Sequence, residues 1–347
     1  MQLRNMSIEE LEDLEQDIHE REGDNPLYSK KIDIYEEMVR RLRKIVRDSP
    51  EEKSYLEYVT RKLVFHLIHY GTYLKMEYQK DDHLAINCLK RALSFDANNP
   101  IVAYRLGFLS YKHKDYQKSL HHFQKAIDHD PYYEQKDFRL NETQIVNAHL
   151  YLTNSALYIA KETYEGMSKL PFDNQHELPH YELSSLYKSL SENERFLEKK
   201  AFYKITEEET ATCSKGECDE LITHEPRNTI VLYFNDRTIK LVYNDNSVDL
   251  GQNHGDILRN LLTKSSEELP ATRITLQNFF SSSIVNGEVN RNTYIQAMNR
   301  LKTKLRSCDI PPIIQTSNYR RETAYYFDKT LPYIVMFRVD QEIEYLS

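Results

Sequence analysis

Along the first two thirds of the chain, apolar residues recur at three- and four-residue spacing. The segments "IDIYEEMVRRLRKIV", "SYLEYVTRKLVFHLIHYGTYLKM", "QIVNAHLYLTNSALYIAKETYEGM" and "YELSSLYKSLSENERFLEKKAFYKI" each carry this period and read as helices. Ahead of them, "SIEELEDLEQDIHERE" is helical and polar, a cap or a short arm. Past Arg227 the period switches to alternation: "TIVLYF", "RTIKLVY" and "SVDL" are separated by "ND" and "NDN", residue types that favour hairpin turns. They predict a small antiparallel meander. Then follow "HGDILRNLLTK", with Ile257, Leu258, Leu261 and Leu262 on one helical face, and "ITLQNFF", a second short helix through Leu276 and Phe280. A longer helix, "VNRNTYIQAMNRLKTKLRS", precedes the hairpin "PPIIQTSNYRRETAYYF". The tail "LPYIVMFRVDQEIEYLS" adds an alternating strand, open to pairing with its own sheet, with the helical part or with a second subunit.

Self-similarity sharpens the helical part. "HLAINCLKRALSFDANNP" and "DYQKSLHHFQKAIDHDPYY" superpose at an offset of 34, which aligns Ala85 with Ser119, Leu89 with Phe123, Ala92 with Ala126 and Ala97 with Pro131. Gly107, Ser119 and Ala126 are small enough for helices to approach closely, Phe123 fills the gap, and Pro131 cannot continue a helix. With Leu106-Gly107 in the preceding helix, this stretch resembles the tetratricopeptide repeat family. The resemblance implies an α-solenoid, whose units cannot bury their faces singly, spanning residues 27–210 behind an N-terminal cap of 1–26. It also implies a concave groove lined by the first helix of each pair. Carried over in register, Ile101, Tyr104, Phe108, Tyr111 and Lys112 line that groove and hold a peptide or protein ligand; packing against the next repeat is the other use for these residues.

The long helix of the C-terminal third has two unlike faces. At 100° per residue, Tyr294, Met298, Leu301 and Leu305 form one apolar stripe, edged by Ile295 and Ala297. The opposite face carries Asn292, Thr293, Gln296, Asn299, Arg300 and Thr303, side chains that hydrogen-bond base edges or phosphates; Lys302, Lys304 and Arg306 form a rim suited to phosphate. The order small sheet, helix, short helix, basic helix, hairpin resembles the winged-helix output domain of response regulators of the OmpR/PhoB type, over residues 229–330. Leu261-Leu262, "NRLKTKL" and "IIQT" carry the likeness. It implies that the third helix enters the major groove of double-stranded DNA and that the hairpin wing touches the backbone or minor groove, with Arg320 and Arg321 at its tip. The family's wing turn is short and bears glycine, whereas "TSNYRRETAYYF" has none and reads as longer. Residues 211–228 read as a polar linker, and 331–347 as the added strand or tail.

Composition bounds these readings. The chain has 347 residues, 40% hydrophobic and 29% charged, with 26 tyrosines and no tryptophan: globular, with room for about two domains. Its net charge of −8 hides an asymmetry, since the stretch from Arg291 to Arg321 holds seven Lys/Arg against Asp309 alone. The N-terminus turns acidic where a secretory signal would be apolar, and no run of about 18 apolar residues could span a bilayer. A cytoplasmic location without membrane association is expected. Eight glycines leave no phosphate loop or dinucleotide fingerprint, and neither H-E-x-x-H nor G-x-S-x-G occurs, so no enzyme and no cofactor are expected. His66, His69, His113, His121, His122 and His129 read as spread along surface-like helical positions. Cys213 and Cys218 with His224 lack a fourth ligand, so no metal is expected and a redox pair is the other reading.

The expected molecule is mostly α: a tetratricopeptide-like solenoid followed by an α+β winged helix. Its expected function is a DNA-binding regulator controlled by a peptide or protein on the array, with homodimerisation open. The alternative is an interaction scaffold whose winged helix binds protein.

Overall fold

The computed structural model describes residues 3–21, 28–76, 82–168, 185–235, 238–280, 284–285, 288–289 and 291–341. The N-terminal part is helical: α1 (Ile8–Arg21), α2 (Tyr28–Asp48), α3 (Lys53–Met76), α4 (Asp82–Phe95), α5 (Pro100–Lys112), α6 (Tyr116–His129), α7 (Glu142–Ser168) and α8 (Ser185–Lys199). Each packs on the next in sequence, so one continuous core runs from Leu11 through Ile32, Leu63, Tyr104 and Phe123 to Ala148.

The α5–α6 pair shows why the chain folds this way locally. The Asn99 side chain accepts the Val102 N–H at 3.1 Å, and Pro100 occupies the first turn, where its missing N–H costs nothing. Asp115 caps α6 in the same manner, and Lys114 makes the turn between the helices at φ 59°. Gly107 lies against the Phe123 ring: a Cβ at this position would stand 2.9–3.0 Å from three ring carbons. The smallness read from the sequence is therefore a steric requirement.

The C-terminal part is built on a six-stranded sheet of order β2-β1-β10-β3-β4-β5. Its strands are β1 (Phe202–Ile205), β2 (Thr210–Cys213), β3 (Ile230–Phe234), β4 (Ile239–Tyr243), β5 (Asn246–Leu250) and β10 (Tyr333–Arg338). The predicted meander is β3-β4-β5, with the Asn244-Asp245 turn at φ 46° and 69°. Helices α10 (Gln252–Lys264) and α11 (Arg291–Ser307) cover one face through Ile257, Leu261, Met298 and Leu301. Helix α9 (Lys215–Thr223), started by a Ser214/Glu217 capping box, covers the other. Between α10 and α11 lie a 3-10 turn (Gln277–Phe280) and the short pair β6 (Ile284–Val285) and β7 (Glu288–Val289). Beyond α11, β8 (Ile314–Tyr319) and β9 (Glu322–Phe327) form a separate hairpin.

Two elements differ from the sequence-based expectation, and the tail strand takes one of the three pairings left open. Residues 211–228 hold the end of β2 and all of α9, because the short helix buries one residue, Cys218, and so shows no apolar period. "ITLQNFF" makes a single 3-10 turn in place of an α-helix. The tail strand pairs within its own sheet, parallel to β3 and antiparallel to β1, in the interior of the sheet. There it buries Tyr333, Ile334, Val335, Met336 and Phe337, alternating between the two covered faces.

Candidate functional site

Helix α11 buries Tyr294, Met298, Leu301 and Leu305, with Ile295 and Ala297 half-buried at the edges of the stripe. The Tyr294 hydroxyl donates to the Ala271 carbonyl at 2.7 Å, which fixes the rotation of the helix about its axis. Asn292, Gln296, Asn299, Arg300, Thr303 and Arg306 are exposed as a consequence, and Thr293 is half-buried. Thr303 is partly engaged, since its hydroxyl donates back to the Asn299 carbonyl at 3.0 Å.

The lysines of the rim reach inward. Lys304 Nζ lies 3.5 Å from the Asp249 carbonyl on β5. Lys302 Nζ donates to Thr316 Oγ1 at 3.3 Å and sits 4.8 Å from the centre of the Tyr325 ring, tying the helix to the hairpin. Burial, then Arg306, pulls the Lys302 pKa below its usual value. Across the hairpin, Tyr319 pairs with Glu322, so Arg320 and Arg321 alone make the turn, at φ 52° and 69°. The hairpin thus closes in a tight two-residue turn, and in place of the longer, glycine-free loop expected there stand two exposed arginines in left-handed conformation. Glu322, the acid beside them, is neutralised: Arg273 donates to both its oxygens at 3.0 and 2.6 Å, and this bonding holds its pKa below the usual carboxylate value.

The residues assigned to the groove of the array meet neighbours within the chain. Ile101 and Tyr104 are buried. Phe108 is covered by Arg338, whose guanidinium lies 5.3 Å from the ring centre and 5.4 Å from that of Phe202. Tyr111 donates to Glu194 on α8 at 3.1 Å, and Lys112 is exposed and pairs with Asp82 at 2.8 Å. At the end of β10, Arg338 Nε donates to Asp340 at 2.7 Å, and Gln144 on α7 donates to the Val339 carbonyl at 3.0 Å. The α5–α7 face therefore holds the segment Arg338-Val339-Asp340 of the same chain. The sequence left contact between the tail and the helical part open without naming its residues; their one trace is an apolar strand that ends abruptly in two charges around a valine.

Histidine placement also departs from expectation. His66 is buried among Tyr28, Tyr35 and Phe65. His69 stacks with Tyr28, and its pKa is pushed down to about 3 by burial, then by Arg105 and Arg259. The pattern hid both because α3 is apolar around most of its circumference. Among the described residues, no group of three or more His, Cys, Asp or Glu is placed to hold a metal ion, and no helix is long and apolar enough to cross a membrane.

The α5–α6 pair, with its close Gly107–Phe123 approach and the turn ending at Tyr133, coincides with a family match: the model of the tetratricopeptide repeat fits residues 100–133. The chain carries a tetratricopeptide repeat. Such repeats serve protein–protein interaction, and this sets the broad functional class of the helical part. Neither the curated proteins nor the solved structures give a match to this chain.

Proposed function

We propose that the protein is a DNA-binding transcriptional regulator whose C-terminal unit acts as a winged helix, governed by a peptide or protein partner of the tetratricopeptide-like solenoid. The observation that carries the DNA reading is the exposed, acid-free face of α11, on a helix that Lys302 ties to the hairpin ending in the exposed Arg320-Arg321 turn. Asn292, Gln296, Asn299 and Arg300 are its base-reading residues; Arg306, Arg320 and Arg321 are its phosphate contacts. Thr293, Thr303 and Lys304 contribute less, because each is half-buried or already bonded. Control through the array is supported by the Arg338–Asp340 contact, since a ligand that loosens it alters how the C-terminal unit is held.

The test is an anisotropy titration of the whole chain on duplex DNA at several salt concentrations. The whole chain is needed because a fragment starting at residue 227 would lose β1, the partner of β10. Binding should weaken steeply with salt. Arg300→Ala should cost on the order of 1–3 kcal/mol and relax sequence preference, whereas Arg306→Ala should weaken all sequences alike. A flat salt response, or no binding at low salt, sinks the reading. A second reading, a scaffold whose C-terminal unit binds protein, is favoured by Leu269 and Ile274, exposed at 62% and 53% near Arg273.

A further inference from the structure

Cys213 ends the edge strand β2, and Cys218 lies in the first turns of α9, so the Ser214-capped turn between them brings the two sulfurs to 3.4 Å. Both are unbridged and buried, at 6% and 0% exposure, in the layer that α9 makes with Phe202, Val231, Tyr233 and Met336. The other two cysteines stand apart. Cys88 is in α4, and Cys308 follows α11 with its thiol directed at the carbonyls of Leu241 and Asn246.

We propose that Cys213 and Cys218 form a reversible dithiol–disulfide site whose oxidant is a hydroperoxide. A disulfide needs sulfurs at about 2.05 Å, so the pair must close by roughly 1.4 Å, a distance on the scale that rotation of short side chains about χ1 supplies. Cys213 is the attacking sulfur. It is the less buried of the two, it stands at the N-terminal end of α9, where partial positive charge favours a thiolate, and it shares a hydrogen bond with Cys218. That hydrogen bond, the largest influence, holds its pKa below the usual thiol value against burial.

The Cys213 thiolate attacks the outer oxygen of the hydroperoxide, the O–O bond breaks, and the departing alkoxide or hydroxide takes up a proton. The product is a sulfenic acid. Cys218 then attacks the Cys213 sulfur, and its thiol proton leaves with the hydroxyl as water. Two thiols and one hydroperoxide give one disulfide, one alcohol or water molecule, and one further water. A small dithiol reverses the bond by exchange. The bond would staple β2 to α9 across the sheet edge, next to β1 and hence to the strand that ends in Arg338.

The sequence supplies a direct assay, because Lys215 lies between the two cysteines. Trypsin separates the peptides Ile205–Lys215 and Gly216–Arg227, which remain joined only through a disulfide. The folded whole chain is treated with one equivalent of hydrogen peroxide, alkylated and digested. The expected result is a linked peptide pair that takes most of the Cys213 signal, an intact mass lower by two hydrogens, and return of both thiols with dithiothreitol. Cys213→Ser and Cys218→Ser, each checked for native circular dichroism, should abolish the link. The proposal is overturned if Cys88 or Cys308 reacts as fast, if Cys213 ends as a sulfinic acid while Cys218 stays alkylatable, or if the folded chain keeps all four thiols.

Discussion

Arg320 and Arg321 occupy a conformation that costs an ordinary L-residue about 1–2 kcal/mol each, and both side chains are exposed, with the Arg320 guanidinium 5.2 Å from the centre of the Tyr319 ring. The β4–β5 turn has the same shape with Asn244 and Asp245, residue types that tolerate it. Two arginines where Asn-Gly would be more stable suit the phosphate contacts proposed for this turn. Replacing Arg320-Arg321 by Asn-Gly should raise stability by on the order of 1 kcal/mol in a denaturant titration and weaken DNA binding in the same preparation. Unchanged affinity would remove both arginines from the interface.

At the scale of elements, Gly107→Ala drives a methyl group into the Phe123 ring and should destabilise the α5–α6 pair by about 1–3 kcal/mol, read as a lower thermal midpoint of the helical signal. A midpoint equal to wild type would mean that the pair relaxes freely. This close approach was legible beforehand because a helix pair is a local object, and its small, large and breaking residues recur within one period of the sequence. The α11 stripe was legible for the same reason: Tyr294, Met298, Leu301 and Leu305 repeat with the turn of the helix. What escaped was long-range. An alternating strand states which faces it buries but not which strand lies beside it, so β10 gave no sign of its place between β1 and β3. The α5–α7 face is alike: Tyr104 and Phe108 announce an apolar surface, open to a ligand or to packing, and nothing local says that Arg338 covers it.

In the whole molecule, the junction between the helical array and the sheet is polar. Arg338, Asp340, Gln144 and the Tyr203–Asn141 hydrogen bond lie along it, and Arg259 on α10 acts electrostatically on His69 of α3. His69 stays neutral in the fold down to about pH 3, whereas in the unfolded chain it takes up a proton below about pH 6.5. The unfolded state therefore binds more protons in that window, and its contribution to stability falls as pH drops from about 6.5 toward 3, by up to ~1.4 kcal/mol per pH unit. Urea unfolding at pH 7, 6 and 5 should show the decline, and His69→Gln should flatten it; parallel curves would mean that the imidazole is already protonated in the fold. The position of β10 has a consequence for synthesis. Strands β1 and β3 leave the ribosome more than a hundred residues before the strand that separates them, so a nascent chain carries this sheet with an open seam until residues 333–338 emerge. During that interval the exposed edges invite mispairing, and a chain cut short before Tyr333 would be a substrate for chaperones and proteases instead of a smaller version of the protein.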